Sequence, residues 1–303
     1  MHPTGISPSN TVRRTAHRRR GTGLAPVLIA GGVLAALMAT RVRRRPAVPA
    51  QRVRAGAAIL GGSVLADSAM EHLRGGLYNP AMYAAPALGA VSVISALRQG
   101  SASHASRGPV ASIVGGLAGL GFHSYDILRR VGGVSFNNLF YAAPIGAPGA
   151  LVISGALNLF ADQIENAPSN SRPTARVLAG VTGASLLAET AEVGLLHFRG
   201  SFQNPAMFLP VTIPPIAGAL LLAKAARPDM SSRPVREFLK ATALLGFVGT
   251  GFHIYGVSRH MGGWRNWRQT AFDGPPVPAP ISFTGLALAG SAAVDLIEKE
   301  ETR

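Results

Sequence analysis

A ten-residue stretch that occurs twice constrains this chain more than any other feature. Residues 116–125 have the sequence GLAGLGFHSY, and residues 246–255 have the sequence GFVGTGFHIY. The three glycines, the phenylalanine, the histidine and the tyrosine all return in register, which is improbable by chance. Both copies lie inside apolar segments, so the sequence twice places an ionisable histidine within an apolar helix.

The composition indicates that these apolar segments lie in a membrane. Of 303 residues, 48% are hydrophobic and only 14% are charged, whereas about a quarter of the residues of a soluble domain are charged. The mean hydropathy is +0.26. We therefore predict an all-α, multi-pass integral membrane protein of the bacterial cytoplasmic (inner) membrane.

The charged residues and the cysteine count exclude several classes of function. The net charge of +15 is concentrated at the N-terminus and in loops. This distribution is typical of membrane proteins with basic cytoplasmic loops, and it does not favour nucleic-acid binding. The chain has no cysteine, which excludes disulfides, iron–sulfur clusters and cysteine-ligated zinc.

The first forty residues precede the duplicated part of the chain. Residues 1–23 are polar and rich in arginine, and we predict a disordered basic tail. Residues 24–40 are apolar, and we interpret them as one extra, uncleaved helix. Their basic flanks leave two alternatives open, which are cleavage as a signal peptide and a re-entrant segment.

Eight further apolar segments follow, each close to the length needed to cross a bilayer. They span residues 56–73, 80–97, 110–128, 143–161, 177–197, 205–224, 239–257 and 278–297. The pattern RGxxxNPAM joins the first to the second and the fifth to the sixth, at 74–82 and 199–207. With the glycine–histidine stretch, this turn defines an internal duplication of four helices, at 55–165 and 174–299.

The number of helices in a repeat predicts the symmetry. Four is even, so both repeats enter the membrane from the same side, and we predict two parallel four-helix bundles plus the N-terminal helix. The first and third helices then end on one face, the histidine face, which collects His72, His123, His197 and His253. Basic residues are more numerous on the opposite side, which predicts that the histidine face lies outside the cytoplasm.

Each repeat also carries one carboxylate and one imidazole at similar depth. Both lie six or seven residues before an arginine at the helix end, or about 9–10 Å at 1.5 Å per residue. Because an unpaired ionisable group in hydrocarbon is costly, we predict that Asp67 pairs with His123 and Glu192 with His253, as catalytic, proton-relaying pairs. The alternative is that each pair only holds two helices together.

The glycines of the repeated stretch share a helix face with its histidine. Gly116 precedes His123 by seven residues, which is nearly two turns. Such a face suits a neighbouring helix or the flat ring of a haem or a quinone. For a ring, the predicted cofactor-binding residues are Gly116, Gly119, Gly246, Gly249, Tyr125, Tyr255, His72, His197, Arg74 and Arg199.

The arginines of the RGxxxNPAM turn have two interpretations. Asparagine and proline start helices well, so the turn can be structural, with Arg74 and Arg199 at the headgroup level. In the functional interpretation, the same two arginines contact an anion or a carbonyl group at the mouth of a site.

Haem b and quinone are the two candidate cofactors. Bis-histidine haem ligation would use His72 with His123, and His197 with His253, as metal ligands. The members of each pair differ in depth by about one helical turn, which disfavours a shared ring. Quinone binding does not require the two histidines of a pair to lie at the same depth.

These observations predict a membrane redox subunit that binds quinone, with or without haem b. The architecture, though not the motifs, resembles the quinol-interacting membrane anchors of respiratory oxidoreductases, which implies a peripheral oxidoreductase subunit on the histidine face. A proton-coupled transporter or channel-like protein is the first alternative. A structural or assembly membrane protein without a cofactor is the second.

Overall fold

The chain is predominantly helical in the part that the computed structural model describes, which is residues 48–98, 106–166 and 171–301. Ten α-helices and three short 3-10 helices make up this part, and it contains no strand. The all-α prediction is therefore confirmed. The predicted basic tail at 1–23 and the extra helix at 24–40 lie outside the described residues.

The helices divide into two sets of five. The first half of the chain contains α1 (Val48–Arg74), α2 (Ala84–Leu97), α3 (Arg107–Leu128), α4 (Phe136–Tyr141) and α5 (Gly146–Asn166). The second half contains α6 (Ser171–Arg199), α7 (Ile213–Ala226), α8 (Ser232–Arg259), α9 (Trp267–Asp273) and α10 (Ile281–Glu301). The short helices α4 and α9 precede the last long helix of each half.

The RGxxxNPAM turns have the same local structure in both halves. The side-chain oxygens of Asn79 and Asn204 accept hydrogen bonds from the backbone N–H groups of Ala81 and Ala206. A proline follows each asparagine and opens the 3-10 helix that leads towards α2 or α7. Because asparagine caps helices and proline needs no N–H at the first position, the local sequence itself starts these elements.

Four long helices form a closed ring at the centre of the molecule. Helix α1 packs on α5 and α10, and helix α6 packs on the same two helices. The first and last helices of both halves therefore share one core, and the halves do not form separate bundles. Helices α2 and α3 pack outside the first half of this ring, and α7 and α8 outside the second.

Small residues let the ring helices approach closely. Ala57 on α1, Ala179 on α6 and Ala293 on α10 are fully buried in a shared core. Where α1 meets α10, a Cβ atom at Gly56 would lie 2.5 Å from the backbone oxygen of Gly285. Close contact between backbones is typical of helices that associate inside a membrane.

The outer surface is apolar and the helices include candidate membrane spans. Large apolar side chains are exposed on α3 and α8, among them Leu117, Phe122, Phe247 and Phe252. Three segments of the described chain are long and apolar enough to cross a membrane: Pro80–Leu97, Pro205–Ala226 and Ile281–Lys299. These features associate the protein with a membrane.

Candidate functional site at the histidine face

Two of the four histidines hold the turns that follow α1 and α6. Nδ1 of His72 donates to the backbone oxygen of Met82 at 2.5 Å, and Nδ1 of His197 donates to that of Met207 at 2.9 Å. The first glycine of each turn borders the methionine side chain. The two halves thus place the same side chains in the same local contacts.

The other two histidines hold the linkers that lead into α5 and α10. Nδ1 of His123 on α3 donates to the backbone oxygen of Pro144. Nδ1 of His253 on α8 donates to that of Pro276 at 2.7 Å. Because a carbonyl oxygen only accepts, the proton of each neutral ring sits on Nδ1, and Nε2 is the nitrogen that keeps a free lone pair.

The glycines predicted to line a ring all face a neighbouring helix: Gly116, Gly119, Gly246 and Gly249. A Cβ atom at Gly116 would lie 2.8 Å from the backbone oxygen of Pro148 on α5, and one at Gly249 would lie 2.9 Å from the side chain of Pro280. The contacts fit the neighbouring-helix interpretation. A haem or quinone ring has no room between these glycines and the neighbouring helix.

The tyrosines predicted for the same cofactor site lie on the outer surface. Tyr125 and Tyr255 are exposed. Each follows a histidine by two positions, or about 200° around the helix, so it lies nearly opposite to that histidine. The two side chains therefore belong to different surfaces of α3 and α8.

The predicted acid–histidine pairs are not formed. Among the described residues, no hydrogen bond or ion pair joins Asp67 to His123 or Glu192 to His253. The histidine Nδ1 atoms bond to linker carbonyls, and Glu192 faces the start of α5. Equal depth along two helices does not fix the direction of a side chain around each helix.

Two carboxylates of α6 instead bond to the starts of α5 and α10, and a third, on α1, interacts with one of them through its charge. Glu192 accepts a hydrogen bond from the backbone N–H of Gly146, the first residue of α5. Glu189, one turn earlier on α6, accepts one from the hydroxyl of Ser282 on α10. Asp67 on α1 lies close enough to Glu192 for their charges to interact. We call Asp67, Glu189 and Glu192 the carboxylate cluster, and sequence analysis missed Glu189.

The carboxylate cluster differs between the halves. By the spacing of the flanking prolines, Pro278 stands where Gly146 stands in the first half. Proline has no N–H, so this position cannot offer Asp67 the donor that Glu192 has. Helix α1 also has valine at the position of Glu189. The acceptor-rich side of the cluster is therefore on α6.

The linkers before α5 and α10 connect the histidines to the carboxylate cluster. In the first half, Pro144 accepts the hydrogen bond from His123, and Gly146, two positions later, donates to Glu192. In the second half, Pro276 accepts the hydrogen bond from His253, and Ser282, six positions later, donates to Glu189. Movement of either linker would therefore change the histidine contact and the carboxylate contact of that half together.

Each short helix packs on the opposite half of the chain. Helix α4 meets the end of α6, where Cζ of Arg199 lies 5.4 Å from the ring centroid of Phe140 and 5.9 Å from that of Tyr141. Helix α9 meets the end of α1, where Arg74 donates a 3.1 Å hydrogen bond to the backbone oxygen of Phe272. Arg74 therefore links the end of α1 to α9 of the other half.

The opposite ends of the ring helices carry ion pairs that sequence analysis missed. Arg54 on α1, whose side chain is 6% exposed, contacts Glu165 at 2.5 Å and Asp162 at 2.7 Å. Burial lowers the pKa of Arg54, but its hydrogen bonds and charge interactions with Glu165 and Asp162 outweigh burial and raise that pKa. The guanidinium therefore stays charged.

The second half uses the same i, i+3 spacing of carboxylates. Asp295 and Glu298 on α10 contact Arg236 of α8, and Asp295 also contacts Arg52 of α1 at 2.5 Å. Arg52 thus links the two halves. The spacing was visible in the sequence, but the arginine partners lie 59 and 243 residues away, where no local pattern points to them.

The histidine face contains no recognisable metal centre in the described part of the chain, where no group of three or more His, Asp or Glu side chains could hold an ion. His197 and His253, predicted as one haem-ligating pair, lie close enough for their charges to interact.

Comparisons with known proteins assign no family to this chain. Comparisons with protein families, with curated proteins and with solved structures found no match. The function is therefore argued from the geometry of the carboxylate cluster and the four histidines.

Proposed function

We propose that this is a multi-pass protein of the bacterial cytoplasmic membrane, built from two parallel four-helix repeats, that moves protons as a proton-coupled transporter or channel-like protein. The observation that supports it is the carboxylate cluster, in which Glu189 and Glu192 of the second half bond to the starts of α10 and α5 and Asp67 of the first half interacts with Glu192 through its charge. Ionisable residues within membrane helices are costly and mark proton and ion pathways. Parallel repeats with a site between them are common among transporters.

The surroundings of the carboxylate cluster suit reversible proton binding. Negative charges that are close together in a low dielectric repel strongly, and binding a proton relieves this repulsion. The N–H of Gly146 and the positive ends of the α5 and α10 dipoles stabilise the charge that is left. No arginine or lysine makes a salt bridge with Glu189 or Glu192 in the described chain, so no fixed ion pair competes with the proton.

The first linker offers a way to couple proton binding to access. Neutralising Glu192 weakens its charge-assisted hydrogen bond with the N–H of Gly146. Gly146 lies five residues after the end of α4, and α4 is held on the other half by Arg199. Protonation therefore loosens the linker and α4 together and opens the carboxylate cluster towards the histidine face.

Labelling with dicyclohexylcarbodiimide tests whether the carboxylate cluster exchanges protons, because this apolar reagent modifies protonated carboxyl groups. We expect modification of Glu189, Glu192 or Asp67 in the purified protein, decreasing as the pH rises. Glu71 is the control, since it is paired with Arg74 at 2.7 Å and should stay unmodified. Modification that spares the whole cluster, or that reaches Glu71 equally, would contradict the proposal.

The coupling step has its own matched variants. In Gly146→Ala, the new Cβ would lie 2.5 Å from Oε2 of Glu192, so the hydrogen bond is disrupted. In Gly149→Ala, the new Cβ meets nothing within 4 Å. With a reporter cysteine at Leu139 on α4, an impermeant maleimide should react faster in Gly146→Ala and in Glu192→Gln, and at the unaltered rate in Gly149→Ala. Equal rates in all of these proteins would rule out coupling through the linker.

A membrane redox subunit that binds quinone, with or without haem b, is the second candidate. Each histidine donates Nδ1–H to a carbonyl oxygen, an arrangement that orients metal-ligating histidines and leaves Nε2 free. His197 and His253 also lie close enough for their charges to interact. In this candidate a peripheral oxidoreductase subunit docks on the histidine face, and the carboxylate cluster supplies protons to the quinone.

The visible spectrum and the extracted lipids test the redox candidate. A Soret band that is lost in His253→Ala would support haem, and a quinone that co-purifies with wild type but not with His253→Ala would support quinone. His260→Ala is the control, since His260 is exposed in the loop after α8. A protein with neither cofactor contradicts this candidate and, if the carbodiimide test also fails, favours a structural or assembly role.

A further inference from the structure

The outer surface of α8 contains an open apolar groove of about 250 Å³. It is lined by Val248, Gly251, Phe252 and Tyr255, which occupy positions i, i+3, i+4 and i+7 and so share one face of the helix. A Cβ atom at Gly251 would meet nothing within 4 Å. Gly251 therefore does not serve helix packing, and it forms the floor of the groove.

An unpaired cation stands at the end of this groove. Arg259 is the last residue of α8 and lies one turn beyond Tyr255, on the same side of the helix. Among the described residues, we find no ion pair or hydrogen bond for its side chain. The chain after α8 adds Arg265 in a 3-10 helix and Arg268 on α9, so this end of α8 carries additional positive charge.

The equivalent place in the first half is neutralised. Arg129 corresponds to Arg259, and it contacts Asp126 at 3.1 Å while lying 5.9 Å from the Tyr125 ring centroid. In the second half Gly256 stands where Asp126 stands. The duplication therefore offers one site with a free cation and one matched site without it.

We infer that the α8 groove binds one anionic phospholipid, with an acyl chain along Val248, Gly251 and Phe252 and its phosphate at Arg259. The groove faces outward on an apolar surface, where acyl chains are the available apolar ligands. Juxtamembrane arginines attract anionic headgroups by about 1 kcal/mol each. A zwitterionic lipid neutralises its own phosphate, so the groove prefers lipids with net negative charge.

Native mass spectrometry with equimolar phosphatidylglycerol and phosphatidylcholine tests this inference. Wild type should retain one phosphatidylglycerol per chain in preference to phosphatidylcholine. Arg259→Gln should lower the affinity for phosphatidylglycerol about fivefold, which corresponds to about 1 kcal/mol of binding free energy. Gly251→Leu should abolish retention, because a Cβ atom there meets nothing within 4 Å and the rest of the leucine side chain occupies the groove.

The first half supplies the controls. A Cβ atom at Gly121 also meets nothing within 4 Å, and Gly121→Leu and Arg129→Gln, tested separately, should leave the retained phosphatidylglycerol unchanged. Equal retention of the two lipids by wild type, or equal loss in the α3 and α8 variants, would overturn the inference. So would recovery of a quinone that Gly251→Leu displaces. None of these outcomes depends on proton movement, so this experiment tests the lipid site independently of the proposed function.

Discussion

Arg54 and Arg236 show how charged side chains are accommodated at the ends of the ring helices. Each guanidinium contacts two carboxylates that lie three residues apart on α5 or α10. One turn of helix thus presents both acids to one arginine. These ion pairs tie α1 to α5 and α8 to α10, at the ends opposite to the histidine face.

Loss of Arg54 should destabilise the protein strongly. Arg54→Ala leaves Asp162 and Glu165 without their partner in a largely buried place, and we expect a loss of about 3 kcal/mol in the free energy of unfolding. Titration with SDS in mixed micelles measures it. Lys240→Ala is the control, because its pair with Glu237 is exposed and should contribute less than about 0.5 kcal/mol. Similar losses in both variants would show that the Arg54 pair is not buried as described.

At the scale of elements, the three glycines of the repeated stretch have different roles. Gly116 and Gly119 contact Pro148 of α5, whereas Gly121 faces open space. The second copy repeats this division. Helix α5 can therefore approach α3 closely on one face only, and the other face is left for the membrane.

Alanine substitutions separate these roles. The Cβ of Gly116→Ala would lie 2.6 Å from a methyl group of Val152 and 2.8 Å from the Pro148 oxygen, so we expect a loss of about 1–3 kcal/mol. Gly121→Ala introduces no contact and should be neutral or stabilising by up to about 1 kcal/mol. Unfolding in SDS compares the two. A larger loss for Gly121→Ala would reverse the assignment of the two faces.

The sequence could predict features that depend on nearby residues. The capped RGxxxNPAM turns and the shared face of Gly116 and His123 follow from spacings of a few positions. A neighbouring helix and a flat ring both need small residues, so the pattern could not choose between them, and Pro148 lies about thirty residues away. The acid–histidine pairs were predicted from depth alone, but a histidine bonds to whichever acceptor its face of the helix presents, here a linker carbonyl.

The carboxylate cluster could not be predicted from the sequence for a further reason. Glu192 meets the first residue of α5, which belongs to the other half, and Asp67 on α1 interacts with Glu192 through its charge. A repeat identified in the sequence directs attention to contacts within each copy. The ring of α1, α5, α6 and α10 brings together residues of different copies, and no spacing within one copy encodes that arrangement.

At the scale of the whole molecule, the parallel duplication predicts one common side for four loops. The loops at 74–79, 129–142, 198–204 and 258–277 should all lie on the histidine face. Single cysteines introduced there, in a chain without any natural cysteine, should react with an impermeant reagent from the same side of the membrane. Reaction of 74–79 and 198–204 from opposite sides would exclude parallel repeats.

Proton flux through the reconstituted protein tests the account most directly. Proteoliposomes with a pH gradient, a potential clamped by valinomycin and potassium, and an internal pH dye measure the flux. We predict that wild type dissipates the gradient faster than protein-free liposomes, that Glu192→Gln and Asp67→Asn slow the flux to the protein-free rate, and that Glu237→Gln, an exposed acid outside the cluster, does not. A wild-type flux equal to that of protein-free liposomes, or unchanged by Glu192→Gln, would contradict the role of the carboxylate cluster.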